Sequence, residues 1–354
     1  MSTDPTQLIK PYGATVIQTV THVVLDKATK HQVMTENIRR NSEIIDMLFD
    51  DNRYSSRLVV FPEFFLTSVP ESRTTEAYLE MAVELPGEYT RKFSERAKKY
   101  NIFIAGNCFE IDPRWPGRIF NTSWIIGPTG EMILKYRKAN DLQMPLVCNH
   151  NPGDMYDEYI EAYGEDNLFP VVDTEIGKLA CLTCYDINFP EVARCLAFKG
   201  AEVLIMPTGD GYTFAKQHRM MRQARAYENS AYLVCSTHGR FIGGPRPAEQ
   251  QRGYSEVIDY KGNPLVTIDG PGEASASGVI DIQALRWARG RMDYFNFFPG
   301  VRASLYAKQY EKAGNMLWPL NGWANRVVGG KAEAVEKKRQ IVENLYELGI
   351  WHRP

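Results

Sequence analysis

The chain has 354 residues, 44% hydrophobic, 24% charged and 12% aromatic, with 41 Lys and Arg against 43 Asp and Glu, a formal net charge of -2. This apolar fraction supports a buried core and excludes disorder as the main state, the balanced charge argues against a nucleic-acid partner or an anionic membrane surface, and no apolar run approaches the roughly 18 residues of a transmembrane helix. Six Cys in a chain this long make no disulfide scaffold, and the start, MSTDPTQLIK, lacks an apolar signal region, so a reducing, cytoplasmic location is expected.

Residues 1–13 read as a polar arm. Residues 14–25 (ATVIQTVTHVVL) are β-branched and read as a strand. Ile38, Ile44, Ile45, Leu48 and Phe49 recur at helical spacing. A buried strand, Leu58 to Phe61, ends at Pro62. A helix is predicted over 89–100, a strand over 102–109, and then a hairpin, SWIIG and EMILKYRK around Pro128-Thr129-Gly130. The second half repeats this order. A strand runs from Lys178 to Cys184, a helix starts at Pro190 and stops near Gly200, and a strand from Val203 to Met206 ends at Pro207. A helix over 214–230, a strand over 232–236 and a hairpin, SEVIDY and PLVTID around Lys261-Gly262-Asn263, complete it.

The repeated order implies two similar α+β halves sharing one core. Helices on one face of a mixed sheet leave its other face apolar, so two sheets should pack face to face. From about residue 284 the chain becomes aromatic-rich, with Pro and Gly breakers, and residues 331–347 read as an amphipathic helix. Such a tail should wrap a neighbour or cover a groove. Its Trp287, Tyr294, Phe295, Phe297, Phe298, Trp318 and Trp323 need a partner surface, so a homo-oligomer is expected.

Three strand ends carry reactive side chains. Cys184 closes KLACLTC just before the helix at Pro190. Helix N-terminal N–H groups favour a thiolate there, although a buried structural Cys is the plain alternative. Cys181 and Cys184 form a CxxC, but no second pair accompanies it. On a strand, residues three apart point to opposite faces, which disfavours a shared metal or redox bond. Glu63 follows an apolar strand within FPEFF. Partial desolvation there would raise its carboxyl toward the range of a general base; a solvated strand end is the equal alternative. Lys138 ends the first hairpin in LKYRKAND. A lone Lys is usually surface, but its strand-end position allows convergence with Glu63 and Cys184.

FPEFF, YRK and CYDINFPE, in this order, resemble the nitrilase superfamily of carbon–nitrogen hydrolases. LPG at 85–87, NTS at 121–123, KGAEVLIMPT at 199–208, RARAYENSAYLV at 222–234 and GYS at 253–255 agree. The resemblance implies an α/β fold, a four-layer α-β-β-α sandwich of two mixed sheets, over residues 14–285, with residues 286–354 as a C-terminal extension making oligomer contacts. It also implies a Glu–Lys–Cys triad at Glu63, Lys138 and Cys184, with an oxyanion held by Lys138 and the Tyr185 backbone N–H. No cofactor or metal is implied, and the six His show no ligand spacing.

Departures narrow the substrate. Tyr185-Asp186 follow Cys184 where nitrile-cleaving members carry Trp-Glu, and Asn140 stands where a His often lies. The 45 residues between Lys138 and Cys184 are a longer segment than usual, with Pro145, His150, Pro152, Gly153 and DMYDEYIEAYGED. This segment and the tail resemble the aliphatic amidase and formamidase branch. Family members also place a second Glu between the Lys and the Cys. Ile160-Glu161-Ala162-Tyr163 resembles its surroundings, so Glu161 is the expected fourth catalytic residue, with Glu158 as the alternative. The expected activity is hydrolysis of a small, linear, non-peptide amide to an acid and ammonia. An N-carbamoyl amidohydrolase is the runner-up, a nitrilase comes behind it, and a non-catalytic binding module or a redox CxxC protein are rivals of other classes.

Overall fold

The computed structural model describes residues 8–50, 55–69, 74–140, 150–209, 215–244, 253–293, 296–314, 316–324 and 331–354; Pro145, Tyr294 and Phe295 lie outside them. The first half comprises β1 (Tyr12–Gln18), β2 (Val20–His22), α1 (Lys27–Asp50), β3 (Ser56–Val60), α2 (Thr75–Met81), α3 (Glu88–Tyr100), β4 (Phe103–Glu110), β5 (Phe120–Ile126) and β6 (Met132–Arg137). The 45-residue segment contributes α4 (Tyr156–Tyr163) and β7 (Val171–Thr174). The second half continues with β8 (Gly177–Cys181), α5 (Pro190–Phe198), β9 (Val203–Pro207), α6 (Ala215–Glu228), β10 (Tyr232–Ser236), β11 (Arg240–Ile242), β12 (Gly253–Ile258), β13 (Pro264–Asp269) and β14 (Ala274–Ile280). Helices α7 (Ile282–Arg289), α8 (Ala303–Gly314) and α9 (Lys331–Glu347) close the chain. No helix among the described residues is long and apolar enough to cross a membrane.

Two six-stranded mixed sheets form, ordered β14-β1-β3-β4-β5-β6 and β7-β8-β9-β10-β12-β13. In each, three parallel strands (β1, β3, β4 and β8, β9, β10) are flanked by antiparallel ones. The internal repeat is therefore real in topology: β3 corresponds to β9, and Pro62 to Pro207. The pleat sorts the side chains. Leu58, Val60, Phe103, Ala105 and Ile125 face the second sheet's Leu179, Cys181, Ile205 and Val234 in one core. Val59, Phe61, Ile104, Trp124 and Ile126 pack on α1 and α3 through Met34, Ile38, Ile45, Phe93 and Ala97. Helices α5 and α6 cover the second sheet through Val192, Leu196 and Ala226. The result is the four-layer α-β-β-α sandwich.

Three elements differ from expectation. The predicted strand over 14–25 breaks at Thr19, and β2 leaves to pair in parallel with β11. Strand β14 (ASASGVI) lacked any sequence signal because Ala, Ser and Gly are poor strand formers. Its small residues admit the facing sheet: a Cβ on Gly278 would come within 2.8 Å of Val257 Cβ. The strand predicted to reach Cys184 stops at Cys181, and Cys184–Asn188 is a 3₁₀ turn.

The tail covers a groove of its own chain. Residues 316–324 lie on the segment after Lys138 and on Arg118: Asn321 N donates to Gly153 O (2.8 Å), Trp323 N to Asp154 O (3.0 Å) and Arg118 Nη2 to Trp323 O (3.0 Å). Lys337 of α9 sits 4.5 Å from the Trp323 ring centroid. Trp323 is buried, whereas Trp287 and Phe297 stay exposed.

Beside the site, Arg137 is buried at the end of β6 and bonds Glu110 twice (2.9 Å each) and Asp112 (2.6 Å). The Phe120 and Tyr163 rings enclose its guanidinium. Burial alone would raise the Glu110 carboxyl, but its bonds to Arg137 hold it below its usual value. Removing one partner of such a pair strands the other charge in a dry site. Glu110→Ala is therefore expected to cost about 3–5 kcal/mol, read as a lower urea midpoint; an unchanged midpoint would show that Asp112 and the aromatic rings suffice for Arg137.

Candidate active site

Glu63 and Lys138 meet at one end of the sandwich. Pro62 ends β3, and the chain turns through Phe64 at φ 59°. The Phe64 ring stacks on Phe109 (4.4 Å between centroids) and its N–H donates to Asn107 Oδ1 (3.2 Å), which fixes this strained turn. The Glu63 side chain is thereby aimed between the sheets and is buried. Its Oε1 accepts from Asn121 Nδ2 (2.7 Å) and Lys138 Nζ (2.9 Å), and its Oε2 from the Gly209 N–H (2.9 Å). A Cβ on Gly209 would come within 3.1 Å of Oε2, so a side chain there would press on the carboxylate. Lys138, also buried, is anchored by its own N–H donating to Asn121 O (2.9 Å).

Behind this pair stands a second row of groups. Asn107 Nδ2 donates to Asn121 Oδ1 (2.7 Å), orienting the amide that faces Glu63. His238 Nε2 donates to the Glu63 carbonyl, and its Nδ1 bonds the Thr21 hydroxyl (3.1 Å). Burial pushes the His238 imidazole down to about 4, so it stays neutral at physiological pH and serves as a fixed donor.

Cys184 is half-buried at the head of the 3₁₀ turn, with φ 44°. A non-glycine residue in this left-handed region is held there by its surroundings. The preceding Thr183 hydroxyl pairs with Ser123 Oγ (2.7 Å) across the two sheets. The following Asp186 accepts from Tyr136 OH (2.8 Å) and from Asn140 N (2.9 Å), the residues two positions either side of Lys138. The structure thus joins Glu63 to Lys138 directly and ties the Cys184 turn to the chain flanking Lys138. Cys181, by contrast, is fully buried, and burial alone drives its thiol far up. The two cysteines of the CxxC occupy different environments.

The 14–288 stretch matches the family model described as carbon-nitrogen hydrolase. The chain belongs to the carbon–nitrogen hydrolase family, within the nitrilase superfamily. Omega-amidase NIT2-A of Xenopus laevis is 27% identical over 254 residues, covering 72% of this chain and 86% of that protein. Omega-amidase NIT2 of Homo sapiens is 26% identical over 258 residues, 73% of this chain and 87% of that one. Among solved structures, Saccharomyces cerevisiae Nit3 superposes with a TM-score of 0.64 at 23% identity, covering 81% of this chain and 96% of that chain. An amidase from Nesterenkonia sp. gives 0.63 at 18% identity, with 85% and 98% covered. This carbon–nitrogen hydrolase therefore shares the fold of these two neighbours.

The geometry does not bring the expected fourth carboxylate to Lys138. Neither Glu161 nor Glu158 joins it by a hydrogen bond or ion pair: Glu161 is exposed on α4, and Glu158 accepts from Trp115 Nε1 (3.0 Å). The cause is the aromatic face of α4. Tyr159 and Tyr163, four apart, both lie against Trp115 and Arg137, so Glu161, two positions from each, falls on the opposite face. Asn107, Gly209, His238 and the burial of Asp186 were not foreseen. Asn107 sits in a strand whose every residue is buried, and a polar side chain at such a position is the signal that could have found it.

Proposed function

We propose that this carbon–nitrogen hydrolase cleaves a small, linear, non-peptide amide to a carboxylic acid and ammonia through a thioester on Cys184. The observation that carries the reading is the buried Glu63–Lys138 pair at 2.9 Å with the Cys184 turn held against the flanks of Lys138. The names of the relatives, omega-amidases at 26–27% identity, support the amide over a nitrile, as does Tyr185-Asp186 after the nucleophile.

The steps follow from these groups. Glu63 takes the Cys184 thiol proton, and the thiolate attacks the amide carbonyl carbon, its π pair moving to oxygen. The Lys138 ammonium and the Tyr185 N–H receive that oxyanion. As the pair returns, the C–N bond breaks and Glu63 gives its proton to the departing nitrogen, releasing ammonia. Glu63 then deprotonates water, which attacks the thioester and displaces Cys184 as a thiol. The α4 segment and the tail that covers it border the site and shape which amide enters, as in the aliphatic amidase and formamidase branch. Pairing of two copies belongs to the same reading, because the outer face of the second half exposes Phe198, Met220, Tyr227 and Trp287.

The test is an ammonia-release screen over linear amides, including the terminal amides of dicarboxylates, together with ureides and nitriles. Turnover of amides above the other two classes is expected. Iodoacetamide should inactivate the enzyme, with the best amide protecting it. Ammonia from ureides or nitriles alone would replace the proposed substrate class.

A further inference from the structure

We propose that Asp186 is a positioning residue whose buried carboxylate clips the Cys184 turn to both flanks of Lys138 and faces the Lys138 ammonium as a second negative charge. The proposal rests on the reading above, in which Cys184 and Lys138 act on one carbonyl group.

The carboxylate is fully buried and its acceptor sites are filled. Oδ2 accepts from Thr183 N (2.9 Å) and Tyr136 OH (2.8 Å), and Oδ1 from Asn140 N (2.9 Å), with Asn140 Nδ2 at 3.5 Å. Tyr136 OH in turn accepts from Ala139 N (3.2 Å). Thr183 immediately precedes the nucleophile, whereas Tyr136, Ala139 and Asn140 surround Lys138 in sequence. One carboxylate therefore sets the register of two strand ends that belong to different sheets. It also helps to hold Cys184 at its strained φ of 44°.

Charge supplies the second half of the argument. Once Glu63 has taken the thiol proton it is neutral, and Lys138 then faces the thiolate with one fewer carboxylate. Asp186 stays ionised and keeps the ammonium charged through the acyl transfer. No carboxylate of α4 bonds Lys138, whereas the Asp186 and Lys138 charges act on each other.

Burial raises the Asp186 carboxyl to about 6, against the lowering pull of Lys138 and of the bonds from Thr183, Tyr136 and Asn140. Other groups facing this turn are Cys184 itself, Cys181 at the end of β8, Arg225 of α6, which bonds Ile187 O (3.1 Å), and His218 of α6, beside Asn188 (3.5 Å). As pH falls through about 6, Asp186 gains a proton, loses acceptor capacity and stops opposing the ammonium charge. An acid limb in kcat at that pH is the result.

The experiment compares the full-length wild type with Asp186→Asn, Asp186→Glu and Tyr136→Phe. It records kcat and KM on the best amide from pH 5 to 9, and the rate of Cys184 alkylation by iodoacetamide over the same range. Asp186→Asn should lower kcat about 100-fold with KM within about threefold, remove the limb near pH 6 and slow alkylation. Asp186→Glu should recover part of kcat and keep an acid limb. Tyr136→Phe removes a donor that holds the carboxyl down, so the limb should move to higher pH. A kcat within about threefold of wild type in Asp186→Asn, or a large loss with the limb unmoved, overturns the proposal. So does a larger loss in Glu161→Gln, which returns the second carboxylate to α4. Should Asp186→Asn not fold, the Tyr136→Phe limb decides, and an unshifted limb counts against Asp186. A wild type that releases no ammonia from any amide sinks the amidase reading instead; the alkylation profiles of the variants then still judge Asp186.

Discussion

Cys184→Ala abolishes ammonia release, a loss of at least about 10⁴-fold or roughly 5.4 kcal/mol of barrier at 1.36 kcal/mol per decade, while Cys181→Ala keeps most of the turnover per folded molecule. Both outcomes follow from where the strand ends. Cys181 is the last residue of β8, fully buried among Leu179, Ile205 and Tyr136, with its thiol kept protonated by burial. Three residues later the chain has left the strand, turned through a positive φ and presented a half-buried thiol at the head of a 3₁₀ turn. In the proposed mechanism this second thiol gives its proton to Glu63, and its turn is tied through Asp186 to both flanks of Lys138. Removing the Cys181 sulfur from the core costs packing, so its effect belongs in the urea midpoint and not in kcat. Equal loss of turnover in both variants, with matched folding, would mean that the pair acts as a unit and would end the single-nucleophile reading.

How much of this was legible in the sequence depends on the range of the interactions involved. The unbroken apolar run Leu58 to Phe61 and the Pro that follows it are local signals, so β3 and the position of Glu63 could be read directly. The repeat was legible as an order of elements because each half closes the same three parallel strands with an antiparallel hairpin. Strand β14 was not, since its pairing with β1 replaces side-chain signal with small residues that let the sheets approach. An unbroken apolar run, KLACLTC, carries no mark of the turn at Cys184, because a positive φ in a non-glycine residue is imposed by tertiary contacts. Asp186 reads as an ordinary polar residue until Tyr136 and Asn140, 50 and 46 positions away, supply its donors. Glu161 is the opposite case. Its local motif matched, but the face of α4 turned toward the core was decided by Tyr159 and Tyr163 finding Trp115 and Arg137.

Glu63→Gln is expected to lower kcat/KM by about 10³–10⁴-fold, roughly 4–5.4 kcal/mol, the upper part of what a general base contributes. The amide cannot accept the Cys184 proton or return it to the leaving nitrogen. It also fits the site badly. Its oxygen can face Asn121 Nδ2 and Lys138 Nζ, as Oε1 does now, but its NH₂ then opposes the Gly209 N–H, donor against donor. Lys138 would be left buried beside a neutral amide, a loss of about 3–5 kcal/mol in stability for a broken buried pair. Loss of turnover could therefore come from loss of folding, and a double variant separates the two. Glu63→Gln combined with Lys138→Met removes both charges, so its urea midpoint should recover toward wild type. Its ammonia release should not, because neither the base nor the oxyanion's cation remains. Turnover that returned together with stability would make the buried pair a structural strut and move the chemistry away from Glu63 and Lys138.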